Sequence, residues 1–403
     1  MPKQRHVRPS DVRAIAQLAT DAAIGLTDLV EAAHAKFSPV SRVLPHASEE
    51  RTRGLPALVY KTVRGVAKVA GTAAEAFIGK IAPFFDEAHS TPEREAVIAA
   101  INGVLGDHMV ASGNPLAIRM QFRKGGVALP LARSALEAAY PHGRRKILVL
   151  VHGLCMNDLQ WRRHGHDHGA ALAQEFGYSP VYLHYNTGLH VSVNGRRFAD
   201  MLESLVQQWP YPVEELAIVC HSMGGLVSRS AYHYAEKEGH AWPKLLRKLV
   251  FLGTPHHGAP LERIGNWIDV ILKAVPYAAP FARIGMVRSA GITDLRHGSL
   301  LDEDWEGRDR FARGPDPRCI VPLPASTACY ALAATLGDSP DSTGRGFLGD
   351  GLVTVDSALG RHRDPDRCLV FAPECQRVAT GAGHMDLLSS TEVHEQLRTW
   401  FSQ

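Results

Sequence analysis

No run of the chain approaches about twenty consecutive apolar residues, so no segment is expected to cross a bilayer as a helix. The opening Met1-Pro2-Lys3-Gln4-Arg5-His6 carries charge but no apolar stretch, and a secretory signal peptide is not expected. Cysteine is sparse. The six, at 155, 220, 319, 329, 368 and 375, form no CxxC pair and no regular framework. In a chain this long a disulfide scaffold is unnecessary, and a cytoplasmic protein with mostly reduced thiols is expected, although Cys368 and Cys375 could pair. An excess of one charge is also missing: 44 Lys and Arg face 41 Asp and Glu. The resulting +3 supports neither a basic nucleic-acid stripe nor an acidic solvating tail. No internal repeat is present.

What the chain does have is apolar residues, at 45% of 403, enough to build buried cores and to argue against wholesale disorder. The length suits two or three domains, or one large α/β domain with an appendage. Histidine is abundant, at 21, so mild acid is expected to make the chain distinctly more basic.

The first third reads as helix. After Ser10, a plausible N-cap, apolar residues recur at Val12, Ile15, Leu18, Ala22, Leu26, Leu29, Ala33 and Phe37. A second stripe runs from Leu55 to Phe84, punctuated by Gly65, Gly71 and Gly79. Thr91-Pro92-Glu93 opens a third helix toward Leu105, which Gly103, Gly106 and the cluster Ser112-Gly113-Asn114-Pro115 are expected to close. Residues 1–112 are thus expected to be a helical region.

From Leu116 the period changes. Leu116–Phe122 and Val127–Leu131, separated by Arg123-Lys124-Gly125-Gly126, read as a hairpin. Strands are then expected at Ile147–Val151, Pro180–His184, Leu216–Val219, Leu249–Leu252, Cys329–Ala333 and Cys368–Phe371. Helices are expected near Gly169–Glu175, Arg196–Trp209 and Gly224–Glu238, with Thr391–Phe401 closing the chain. This alternation predicts an α/β domain over 113–403, with a mostly parallel central sheet covered by helices on both faces. Its active groups should lie beyond the carboxyl ends of the strands.

The segment Leu216–Leu226 is the most informative. An apolar strand runs into Cys220-His221-Ser222-Met223-Gly224-Gly225 and then a helix, with a serine at the apex. Small residues must flank such a serine because strand and helix pack closely around it. Cys220 stands where the usual pattern has a first glycine, and Gly224 keeps the second. A serine hydroxyl needs a base and an acid to orient that base, and on such a turn they follow in the order Ser, Asp or Glu, His. Asp350, between glycines in Gly349-Asp350-Gly351, and His384, in Gly381-Ala382-Gly383-His384, satisfy that order.

Four other aspartates lie near these positions. Asp338 and Asp341 lie in a Ser/Pro/Gly-rich stretch that reads as a solvated loop, Asp356 as a cap of the helix after it, and Asp386 as a neighbour of His384. For the oxyanion, Leu148–Val151 leads into His152-Gly153-Leu154-Cys155, a glycine turn able to aim a backbone N–H into the site. The Leu154 and Met223 amides are the expected donors, with a shift of one residue the alternative.

With these residues in place the chain resembles the α/β-hydrolase superfamily, and within it bacterial lipases and esterases related to GPI inositol-deacylase-like proteins. The matching motifs are VHGL (151–154), CHSMGG (220–225), FLGTPHHGAP (251–260), GDGLV (349–353) and GHMDLL (383–388), over about two-thirds of the chain. The resemblance implies ester hydrolysis through an acyl-enzyme on Ser222, Asp350 and His384, with no metal and no organic cofactor. It makes Thr254-Pro255-His256-His257-Gly258 a structural corner, and the insertion from about 260 to 346 a cap or lid.

Other readings stay open at the level of sequence. An acyltransferase would use the same groups on an alcohol acceptor. The N-terminal stripes, interleaved with Lys61, Arg64, Lys68 and Lys80, could meet a membrane or a lipid or polyester granule instead of packing as a bundle. His164-Gly165-His166-Asp167-His168 superficially looks metal-binding but misses the HxHxDH signature by one residue. It reads as a polar loop with histidines toward solvent and incidental zinc or nickel binding. Asn157-Asp158 is expected to cap or brace the loop after the oxyanion strand. The expected substrate is a small-molecule or lipid ester, with no nucleic-acid partner; oligomeric state is left open.

Overall fold

The computed structural model describes Asp11, Ala14, Gln17, Leu18 and residues 90–259, 289–308, 316, 318–338 and 349–403. The first two helical stripes, apart from those four residues, and most of the 260–346 insertion lie outside them, as does Asp341.

Eight strands form one sheet in the order β2-β1-β4-β3-β5-β6-β7-β8. They are β1 (Gln121–Lys124), β2 (Val127–Ala128), β3 (Lys146–Val151), β4 (Tyr178–His184), β5 (Glu215–His221), β6 (Leu246–Leu252), β7 (Ala328–Thr335) and β8 (Gln376–Thr380). β1 is antiparallel to β2 and β4, whereas every pairing from β4 across to β8 is parallel. The hairpin turn is tighter than the sequence suggests. Gly125 and Gly126 alone form it, at φ 58° and 80°, and Arg123 and Lys124 belong to β1. A two-residue primed turn needs positive φ at both positions, which glycine supplies without strain.

The central strands are apolar on both faces because both faces are covered. Ile147, Val149 and Val151 of β3 face one core, and Leu148 and Leu150 face the other. The first core takes α1 (Pro92–Ala111), α2 (Arg133–Ala139), α4 (Val191–Gln208) and α5 (Met223–Glu238); the second takes α3 (His168–Phe176) and α8 (Thr391–Phe401). Two short helices, α6 (Ala290–Asp294) and α7 (Val355–Ala358), complete the described set. In α4, Val191, Phe198, Leu202 and Leu205 draw the buried stripe. On the second face Trp400 of α8 is fully buried and stacks on Tyr330 at 5.0 Å, a contact whose truncation to Ala costs about 3–5 kcal/mol in comparable cores. No described helix is long and apolar enough to cross a membrane.

Two expectations are corrected. Cys368–Phe371 is not a strand: Val370 is 87% exposed, and the last strand is Gln376–Thr380, an edge strand with polar residues on its open side. The third helix does begin at Pro92, with the Thr91 hydroxyl accepting from the Arg94 amide, but it runs to Ala111 instead of ending near Leu105. Gly103 and Gly106 lie inside it. A side chain at Gly103 would meet Cys155 Sγ at 2.2 Å, and one at Gly106 would meet Asn186 Oδ1 at 1.9 Å. These glycines serve close approach, not termination.

The described residues divide into two compact units. One comprises Asp11, Ala14, Gln17, Leu18, 90–94 and 109–117, and the other comprises 95–108 and everything described from 118 onward. In the first, Asp11 receives two hydrogen bonds from Arg94, and Asn114 Nδ2 donates to Ala14 O. The second holds the sheet and all the residues of the site.

Candidate active site

β5 ends at His221, and Ser222 turns the chain into α5 with φ 55° and ψ −125°. For a residue with a Cβ this is a strained conformation, of the kind that persists only when its surroundings fix it. Those surroundings are visible. The Ser222 amide donates to Leu252 O at 2.8 Å, and a Cβ on Gly224 would meet Val151 O at 2.4 Å. A Cβ on Gly225 would meet Thr254 Oγ1 at 2.1 Å. Cys220, in place of the first glycine, is buried with its thiol donating to Val250 O at 3.0 Å. Ser222 Oγ is buried and has no hydrogen-bond partner among the described residues.

Asp350 and His384 meet. His384 Nδ1 lies 2.6 Å from Asp350 Oδ2, and both side chains are almost wholly buried. The other carboxylate oxygen accepts the amides of Leu352 and Val353 at 3.0 and 2.8 Å, and the His384 amide donates to Asp350 O at 3.1 Å. These bonds hold the carboxylate in one orientation, so Nδ1–H is the donor and Nε2 the basic nitrogen. Asp386 Oδ2 instead accepts the Gly383 amide. Asp356, in the first turn of α7, faces Arg361 at the surface, while Thr354 is the residue that caps that helix.

The pair reaches the serine end of the sheet. A Cβ on Gly253, the residue after β6, would lie 3.1 Å from His384 Cε1, and Gly253 directly follows the Leu252 that binds the Ser222 amide. His221 joins the two segments, with Nε2 3.1 Å from His384 O and its ring 4.7 Å from the His384 ring. Burial, then the neighbouring His384, keeps His221 well below the usual histidine range, so it donates as a neutral ring.

On the β3 side, a Cβ on Gly153 would come 3.0 Å from Ser222 Cβ. The Cys155 amide donates to Thr187 Oγ1 at 3.0 Å. The Leu154 amide precedes it on the same turn, and the Met223 amide is the first of α5, with no helical carbonyl before it to bond. Cys155 itself sits at φ 58°. The turn is braced by Tyr185, the residue after β4, whose hydroxyl donates to His152 O at 2.8 Å and whose ring stacks on His152 at 4.5 Å. Burial pushes His152 down to about 3, so its imidazole is neutral.

Tyr185, Thr187 and His221 were not singled out in the sequence. Only His221, beside the apex serine, carried a local signal. Asn157 forms the expected capping box with Gln160, and Asp158 pairs with Arg123 at 3.2 Å and His184 at 3.3 Å. His257 is tied by its amide to Ser357 Oγ and by Nε2 to Gly360 O, which makes the 254–258 segment a stitched corner. The expectation that the 164–168 histidines face solvent fails for His168, which is fully buried. All six cysteines are free, Cys368 and Cys375 included.

Residues 143–316 match a family described as the PGAP1-like alpha/beta domain. No curated protein sequence matches the chain. Among solved structures, the mature lipase BlEst2 of Bacillus licheniformis is similar at 20% identity and TM-score 0.40, over 65% of this chain and 93% of that one. Lipase B of Aspergillus fumigatus aligns at 11% identity and TM-score 0.38, over 70% of this chain and 60% of that one. An esterase of Pyrococcus furiosus aligns at 13% identity and TM-score 0.35, over 64% and 83%.

Proposed function

Starting from a lipase/esterase-like α/β-hydrolase fold, we propose that this chain is a serine carboxylic-ester hydrolase with Ser222 as nucleophile, His384 as base and Asp350 as orienting acid. What supports the reading is a strained serine at a strand-to-helix apex together with a buried histidine–carboxylate pair at 2.6 Å, packed against Gly253 at the carboxyl end of the neighbouring strand β6.

In this mechanism Ser222 Oγ attacks the ester carbonyl carbon while its proton passes to His384 Nε2. Asp350 stabilises the imidazolium through Nδ1–H. The carbonyl oxygen takes the negative charge and is met by the Leu154 and Met223 N–H groups, oriented before the reaction and therefore worth several kcal/mol (about 3 for one donor in comparable enzymes). Collapse expels the alkoxide, which leaves as alcohol with the proton from Nε2. Water then attacks the acyl-enzyme, giving its proton to the same nitrogen, and collapse returns that proton to Ser222 Oγ with release of the acid. No step requires a metal or an organic cofactor.

The substrate class proposed is a small-molecule or lipid ester, with acyl choice assigned to the 260–346 insertion. A fluorophosphonate probe tests the nucleophile directly. Peptide mass spectrometry should find the adduct on Ser222, and Ser222→Ala should lose both labelling and p-nitrophenyl acetate turnover. Labelling elsewhere, or undiminished turnover by the folded variant, would overturn the assignment.

A further inference from the structure

Away from Ser222, three imidazoles from separate parts of the chain converge. His164 and Gly165 both have positive φ, 50° and 81°, and Arg163 and His166 exchange backbone hydrogen bonds of 2.8 and 2.9 Å. This two-residue turn presents His166. The next residue, Asp167, is committed elsewhere: it caps α3 through the Ala170 amide and accepts the Tyr182 hydroxyl. His168 is the first residue of α3, and His394 arrives from α8.

One ligand atom from each of the three rings lies within 4.8 Å of the other two. Ring centroids are 4.6 Å apart for His166 and His168, 4.7 Å for His166 and His394, and 5.5 Å for His168 and His394. His168 Nε2 lies 3.1 Å from Leu387 O, so that nitrogen carries the proton and Nδ1 is the bare one. Nδ1 faces His166 Nε2 at 2.8 Å. His394 Nδ1 is buried and has no hydrogen-bond partner among the described residues. Of the nearby charges, Glu175 and Arg398 pair with each other at 2.6 Å.

We propose that His166, His168 and His394 bind a divalent transition-metal ion, zinc in the first instance, with water in the fourth position. Three imidazoles suit zinc, nickel or copper and not the oxygen-seeking calcium or magnesium. Zinc–nitrogen bonds of about 2.0–2.1 Å at tetrahedral angles put ligand atoms about 3.3 Å apart. The His166–His168 pair opens by about half an ångström to reach this. The ion joins the turn before α3 to α8, and through His168 and Leu387 it steadies the segment that carries His384. Binding does not depend on ester hydrolysis.

Untagged full-length protein, stripped with chelator, is titrated with zinc chloride by calorimetry at pH 7.5. Wild type, His166→Ala, His394→Ala and Ser222→Ala are compared, and cobalt(II) serves as a spectroscopic probe. One equivalent should bind to wild type and to Ser222→Ala, raising the melting temperature and giving the visible bands of four-coordinate cobalt. Each histidine variant should bind at least tenfold more weakly while keeping the stripped protein's circular dichroism and melting temperature. Equal zinc affinity in wild type and both variants, or no saturable site in wild type, would mean an adventitious ion only and would overturn the proposal. Loss of ester turnover in Ser222→Ala with zinc binding intact keeps the two readings separate.

Discussion

Mild acid should destabilise this protein before its carboxylates begin to titrate. Four buried histidines are held neutral: His152 and His168 near 3, His221 and His256 well below the ordinary value, burial being the leading cause in each. Because the folded-state pKa lies below the unfolded value of about 6.5, the unfolded chain binds more protons in the interval between them. Stability from these groups is therefore fully present above pH 6.5 and is lost progressively as pH falls below it.

From pH 6.5 to 5.5 each such group costs about 1 kcal/mol, and four cost about 4, a large share of the roughly 5–15 kcal/mol that holds a domain together. With a urea slope of about 3 kcal/mol per molar, the unfolding midpoint should fall by about 1 M. The measurement is equilibrium urea unfolding followed by tryptophan fluorescence, in chelator, at half-unit pH steps. His152→Gln should flatten the dependence by about a quarter. A midpoint that holds or rises between pH 6.5 and 5.5 would show that the four rings are not buried neutral, and the reasoning would fail.

Three further outcomes follow from the site. Because Ser222 sits at positive φ, Ser222→Gly should be inactive yet more stable than Ser222→Ala by about 1–2 kcal/mol in the same urea assay. Asp350→Asn keeps an oxygen for the Leu352 and Val353 amides but turns an NH2 toward His384 Nδ1, so kcat should fall by about ten-thousandfold with the melting temperature nearly unchanged. Gly224→Ala drives a methyl to 2.4 Å from Val151 O and should cost about 1–3 kcal/mol as well as activity, read by urea unfolding and ester turnover.

The central parallel strands were legible because burial on both faces leaves continuous apolar runs such as Ile147–Val151 and Leu249–Leu252. The edge strand Gln376–Thr380 was not, since one open side allows Gln and Arg, and the apolar run Cys368–Phe371 nearby invited the wrong choice. The apex serine had a local signature because its turn demands small neighbours. The brace by Tyr185 and Thr187 had none, for it depends on β4 lying beside β3 in the sheet. The same holds for the histidine cluster. His394 lies far along the chain from His166, so only the packing of α8 near the start of α3 brings them together.

Helix α1 limits how the chain can be dissected. Along α1, Ala96, Ala100 and Val104 are buried in the first core, Asn186 Nδ2 donates to Gly106 O, and Ser289 Oγ donates to Gly103 O. A Cβ on Gly188 would strike Asn102 O at 2.1 Å. Although α1 precedes the strand–helix alternation, it is a wedge seated beside the turn that carries Leu154. Cutting the chain at Ser112 to ask whether the N-terminal stripes touch lipid would pull out that wedge, so lost activity would report a collapsed core and not a missing anchor. The informative cut lies before Ser90, where the cap of α1 survives.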